Sequence, residues 1–561
     1  MDERLSDLEQ RLAAVERRLS RLEAQTPGAS LPEEIPGDSP TLGDGFLSNA
    51  STLIGRVLLI FGGAYLLRAI TDYQVVPTGV GLSLGAAYAL FWLFRAFVIG
   101  RDSPNQTTAL FFGGASVLLA LPLLAEATGR FEMLSGGQGI FALSIFCALC
   151  LFVAVSRDLR LLAWAIVVGG IVTAFAVLQI THSALPAGAF LVLLGLMSLW
   201  ACYVKGWKGP QWLGAVGAVV GVLSLTLFTR SEQWSIDARA VFLIGAALLL
   251  TYLASFAVRT HRQRHAVGTF ESIQTLLAIA VTLLTAFAVL RNGQLSAAAI
   301  GVPAVALAAA VYALAFTRGT RTERGRNFHY YSTVGLLLLV AGSALLLAPV
   351  YAAALWSVLA MLMAWLSGRY ARVSLSLQCT FLLLAAGIGS GLLETGLIAL
   401  AGGAPQSWPP ILPWHAVVAL TTVACLFIPV AQQSRRWGAL AGLPQLIVLA
   451  LSVWEVGGLF VVYTAPLLVD FGSGAPDRAI LAALRTMVLA AASLTLAISS
   501  RHPRWPEARW LVYPVLILVG IKLFIEDFPH GQPVTLFIAL AIVGSALILV
   551  AKLLSQGKSG D

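Results

Sequence analysis

Charge is what this chain has least of. Asp, Glu, Lys and Arg make up 11% of its 561 residues, where a soluble chain carries about a quarter. The charges that exist collect in short clusters between apolar runs, and 58% of the residues are hydrophobic. That excludes a water-soluble globule. Cysteine is scarce too: Cys147, Cys150, Cys202, Cys379 and Cys425 all lie inside apolar runs, which excludes an extracytoplasmic disulfide framework. Cys147 and Cys150 form a CxxC, but within a helical run and without other ligands it reads as packing. There is no Gly-rich phosphate loop followed by Lys, so nucleotide binding is not implied. There is no HExxH or His/Cys cluster to suggest zinc, and no GxSxG elbow for a hydrolase. No catalytic residue, no metal ligand and no cofactor is therefore expected, and an enzyme is the less favoured reading. The net charge of +9 is spread over many loops, so it points to no nucleic acid.

Apolar runs are what the chain has in quantity. A bilayer span needs about 20 such residues, and eighteen candidate stretches run from 47–70 to 533–554, the last six being 373–397, 411–431, 438–463, 479–499, 510–528 and 533–554. The expected fold is all-α: a polytopic helical membrane protein with a lipid bilayer as its surroundings. Four parts follow: a coiled coil at 1–25, a Pro/Gly-rich acidic linker at 26–45, the membrane domain at 46–555 and a short tail at 556–561. Every second loop is basic. With the N-terminus cytoplasmic, the inner loops and C-terminus carry 22 Lys and Arg against seven on the outer side. A missed or invented span would invert that alternation, so both termini are expected inside. The basic clusters recur as nine tandem hairpins would place them. No cleavable leader is read at the charged N-terminus, so the first span is expected to serve as an uncleaved anchor.

The opening 23 residues repeat in heptads. Leu5, Leu12 and Leu19 hold a; Leu8, Val15 and Leu22 hold d; Arg4, Arg11 and Arg18 hold g; Glu9, Glu16 and Glu23 hold e. Such a seam buries nothing alone and asks for a partner. In a parallel pair each g Arg faces the e Glu of the next heptad, whereas an antiparallel pair opposes like charges. Exposed pairs contribute only roughly 0.2–1 kcal/mol each, but six matched against six mismatched select the parallel arrangement. The expected partner is a second copy of the chain, or else a cytosolic coiled-coil protein.

Ionisable residues inside spans are costly and mark function or structural pairing. Glu455, Arg485, Lys522, Glu526, Glu394 and His415 fall in spans thirteen to seventeen, toward their outer ends. They form a candidate polar site open to the extracytoplasmic side; the competing expectation pairs Glu455 with Arg485 and Lys522 with Glu526. Gly217 and Gly221 form a GxxxG, which reads first as packing within the bundle and second as a dimer face.

The run Ile54-Gly55-Arg56-Val57-Leu58-Leu59 through Leu67-Arg68, after a coiled coil and a Pro-rich tether, and the closing Gly520-Ile521-Lys522-Leu523-Phe524-Ile525-Glu526-Asp527 resemble an uncharacterised bacterial membrane-protein family, domain of unknown function 2339. The resemblance implies residence in the bacterial inner membrane and supplies no activity. Two functional classes stand open: transport or handling of a charged solute or lipid from the extracytoplasmic side, and a non-catalytic envelope scaffold oligomerising through its coiled coil. An enzyme acting on lipid-linked substrates comes third.

Overall fold

In the computed structural model, the described residues are 60, 62–63, 73, 76–102, 105–231, 234, 236–262, 265–315, 326–370, 373–401, 410–428, 442–468, 475–502, 504–530 and 533–556. The heptads of 1–25, the linker of 26–45, the first expected span but for Ile60, Gly62 and Gly63, and the last five residues of the tail lie outside them.

The described residues are helical, with no strand among them. The helices are α1 (Thr78–Ile99), α2 (Gln106–Gly129), α3 (Gly136–Arg157), α4 (Arg160–Thr181), α5 (Ala184–Lys205) and α6 (Pro210–Phe228). Next come α7 (Ala238–Arg262), α8 (Thr269–Arg291), α9 (Ala297–Ala315), α10 (Arg326–Leu346), α11 (Pro349–Tyr370) and α12 (Val373–Gly389). The last are α13 (Leu392–Leu400), α14 (Pro413–Phe427), α15 (Leu443–Leu468), α16 (Ala475–Ser499), α17 (Ala508–Lys522) and α18 (Pro533–Gln556). Fifteen described helices are long and apolar enough to cross a membrane, and the pair α12–α13 makes a sixteenth if counted as one span. The expected all-α polytopic architecture is thus what the chain adopts. Two stretches differ in detail. The thirteenth is broken into α12 and α13, and the fourteenth yields only the 15-residue α14.

The chain divides into two compact units, residues 1–119 and 120–561. In the first, Ser116 on α2 donates to the Ala89 carbonyl of α1 at 2.8 Å, and Ile60, Ala96, Phe112 and Ala115 form a small core. In the second, sequential helices pack as pairs, α9 with α10, α5 with α6, α11 with α12, α7 with α8, α3 with α4 and α16 with α17, and α16 also packs closely on α18. Each of the six sequential pairs is joined through one of the basic loops, a hairpin closed on its basic side, while the α16–α18 contact runs between hairpins. A membrane bundle gains little from burying apolar surface against apolar lipid, so close packing and hydrogen bonds hold it. The GxxxG follows that rule: Gly217 turns onto Ile171 of α4 and Gly221 onto Leu191 of α5. All five cysteines are free and buried.

A polar layer reinforces the basic ends of α5, α7, α8 and α10. Glu271 pairs with Arg259 at 2.5 Å, accepts from the Tyr203 hydroxyl at 3.0 Å and accepts the Gly268 amide at 2.9 Å. Tyr331 meets Thr260 at 2.6 Å and Tyr330 meets Thr275 at 2.5 Å. Composition alone does not bring these groups together; they come from helices far apart in the chain.

Candidate functional site

The break between α12 and α13 organises the last third of the molecule. Its sequence, Gly387-Ile388-Gly389-Ser390-Gly391, is rich in the residue least suited to a helix interior. Gly391 sits at φ +78°, the left-handed conformation in which glycine ends helices. The chain turns by 73° there. Ser390 bridges the gap, its hydroxyl donating to the Gly387 carbonyl at 3.2 Å and accepting the Leu392 amide at 3.3 Å. His415 of α14 donates from Nε2 to the Ser390 carbonyl at 2.8 Å, and Trp454 of α15 donates to the Leu393 carbonyl at 3.2 Å. The His415 bond takes a backbone acceptor that the broken helix leaves open; the Trp454 bond adds a second donor at the start of α13.

The nine-residue α13 lies directly on α15. A Cβ built on Gly458 would stand 2.6 Å from the Gly396 Cα, so this contact tolerates glycine on both faces and little else. The C-terminus of α13 then ends on an arginine. Arg485 of α16, 0% exposed, donates from Nε to the Ala399 carbonyl at 2.6 Å and from Nη2 to the Ile398 carbonyl at 3.1 Å. A guanidinium there meets both the orphan carbonyls and the negative end of the helix dipole.

The third Arg485 contact is Nη1 to Glu526 Oε1 at 2.6 Å. Glu526 belongs to a single π turn, Leu523–Asp527, that interrupts the end of the seventeenth span. The π turn explains the cluster. On an α-helix Lys522 and Glu526 share a face, but Asp527 would be about 140° away from Lys522 at 3.6 residues per turn. The i→i+5 winding of a π turn brings residue i+5 back over residue i. Lys522 Nζ accordingly reaches Asp527 Oδ2 at 3.0 Å and Glu526 Oε2 at 3.2 Å, and donates to Thr486 Oγ1 at 2.8 Å and the Ala482 carbonyl at 2.7 Å. Thr486 in turn donates to Asp527 Oδ2 at 2.8 Å. Two cations and two anions are thus closed into one network joining α13, α16 and the π turn. The Glu526 side chain is 26% exposed, against 3% for Asp527 and 7% for Lys522.

Of the six site residues read from the sequence, Arg485, Lys522 and Glu526 are brought together, and the Lys522–Glu526 pair is present. The expected Glu455–Arg485 pair is not: the Arg485 guanidinium is taken up by Glu526 and by the Ile398 and Ala399 carbonyls of α13. Glu455 is 0% exposed, and among the described residues neither of its oxygens has a hydrogen-bond partner of good geometry. His415 serves the break rather than the ionic network. Glu394 is exposed in the first turn of α13 and stands outside it. Asp527, Thr486 and the α13 carbonyls were missed. Asp527 was in view next to Glu526, but only a π turn puts the two acids on one face.

The model of a family described as Predicted membrane protein (DUF2339) matches residues 48–558. No curated protein and no solved structure matches the chain. The chain belongs to that family.

Proposed function

We propose, from that membership as premise, that the protein is a membrane carrier for an anionic solute or lipid headgroup, working where α13 meets α16 and the π turn. The observation that carries the reading is the meeting of a discontinuous span with a charged network. Broken helices build the binding sites of many transporters, their C-terminal ends holding cations; here that cation is Arg485, whose Nη1 is left to face an anion, and single π turns recur at functional sites. Both converge on Arg485, Lys522 and Glu526. Glu526 is the most exposed of the four charged side chains and is itself a carboxylate held by two cations. It therefore occupies the position that the carboxylate, phosphate or sulfate of a ligand would take. In the closed state the acid neutralises Arg485 and Lys522; an incoming anion displaces it and leaves the network charge-balanced. The loop-charge pattern supports an extracytoplasmic opening for this junction, since Lys522 and Glu526 stand at the outer end of their span when the basic loops face the cytoplasm.

The experiment is complementation of a strain lacking the protein. Lys522→Met abolishes complementation while deletion of residues 1–25 reduces it only partly. The reverse pattern, with Lys522→Met silent and the deletion inactive, would instead support an envelope scaffold.

A further inference from the structure

We propose that Glu455 is a proton-binding site in the membrane domain, taking up and releasing a proton at its carboxyl; its role as the coupling site of the carrier rests on the function proposed above. Glu455 lies within α15 and is 0% exposed, yet both carboxyl oxygens lack a hydrogen-bond partner of good geometry among the described residues. A carboxylate so placed is expensive unless something positive joins it.

The elements packed on α15 are α12, α13, α14, α16 and α17, and among their described side chains none brings a charge to it. On α12 the nearest group is Gly387, whose Cβ would stand 3.1 Å from Glu455 Oε1; Cys379 is turned to Cys425 of α14. On α13 Glu394 is exposed. On α14 the Thr422 hydroxyl approaches the carboxyl but is turned to the Val418 carbonyl at 3.1 Å, and His415 is engaged at Ser390. On α16 Arg485 is committed to Glu526 and the α13 carbonyls, and Arg478 is exposed. On α17 Lys522 is held by Asp527 and Glu526, Arg509 sits in the opposite end of the helix, and Tyr513 is exposed.

A metal cation does not fit this place. Hard cations ask for about six oxygen ligands, and one carboxyl with one diverted hydroxyl does not supply them. A proton needs a single oxygen. It adds to one carboxyl oxygen, leaving the group neutral in the closed bundle, and passes to water when the site opens. The opening element is at hand: Gly387, which packs beside Oε1, lies three residues before Ser390, where the chain breaks. A change in the angle between α12 and α13 therefore bears directly on the carboxyl's surroundings.

The test is infrared difference spectroscopy of the purified full chain in lipid nanodiscs, stepped between acid and alkaline pH with no substrate present. A protonated-carboxyl C=O band that comes and goes with pH is expected in the parent protein. It is lost in Glu455→Gln and moved in frequency in Glu455→Asp, the second variant serving if the first does not fold. A band unchanged in Glu455→Gln, or unmoved in Glu455→Asp, overturns the proposal. Because the band is read without a substrate, it stands or falls separately from Lys522→Met complementation, which tests the carrier itself.

Discussion

Arg485 and Glu526 are 41 residues apart in sequence and 2.6 Å apart in space, and their contact joins the broken half-helix α13 to the π turn that closes the seventeenth span. Removing Arg485 leaves Glu526, 26% exposed, held by Lys522. Arg485→Ala, which also frees two α13 carbonyls, is expected to lower stability by about 1–3 kcal/mol, the cost of leaving buried acceptors unsatisfied. The double substitution Arg485→Gln/Glu526→Gln keeps donors near the Ile398 and Ala399 carbonyls and removes both charges, so it is expected to recover much of that loss. Thermal unfolding in detergent of the singles and the double, read as a mutant cycle, checks this.

Glu526→Gln removes the negative charge from the place where a ligand anion is expected to bind, leaving Arg485 and Lys522 against one acid in place of two. Inorganic phosphate should then raise the Tm of Glu526→Gln more than that of the parent, because ligand binding to the folded state alone stabilises it by RT ln(1 + [L]/Kd). Sodium chloride at equal ionic strength is the control. Equal responses to both salts would remove the anion site.

The contact between α13 and α15 leaves no room for a side chain. A Cβ at Gly458 would lie 2.6 Å from a backbone atom of Gly396, so Gly458→Ala is expected to cost about 1–3 kcal/mol, as overpacking does. Gly520→Ala is the comparison, since a Cβ there meets nothing within 4 Å. Thermal unfolding should separate the two, and equal midpoints would mean that α13 does not sit tightly on α15.

The heptads of residues 1–25 predict a parallel assembly. With Cys at position 8 in place of Leu8, two copies should crosslink in the membrane, whereas copies carrying Leu8→Cys and Leu19→Cys respectively should not crosslink with each other. Confinement through the linker raises the local concentration of these short helices. Crosslinking between positions 8 and 19 would instead mean an antiparallel pair.

Much of the fold was legible because a span announces itself by length and apolarity. The eighteen described helices, with α12 and α13 sharing one, fill all of the expected stretches except 47–70. The break at Ser390 was not foreseen: Gly387, Gly389 and Gly391 are compatible with a continuous glycine-rich span, and the contacts of His415 and Trp454 that accompany the bend come from helices distant in sequence. The site was legible as a set of residue types and not as pairs. Buried charge at Arg485, Lys522, Glu526 and Glu455 stands out in any apolar sequence, but which acid meets which base depends on helix rotation, on α13 offering carbonyls to Arg485 and on one π turn. Local sequence specifies none of these directly.

The measurement that bears most directly on the central claim is complementation by Arg485→Gln/Glu526→Gln, scored beside its folding by size-exclusion chromatography and thermal unfolding. A network that only holds helices together tolerates replacement by neutral, hydrogen-bonding groups. A working anion site does not. The expected result is a folded protein of near-parental stability that fails to complement; a folded double variant that complements fully would contradict the carrier account.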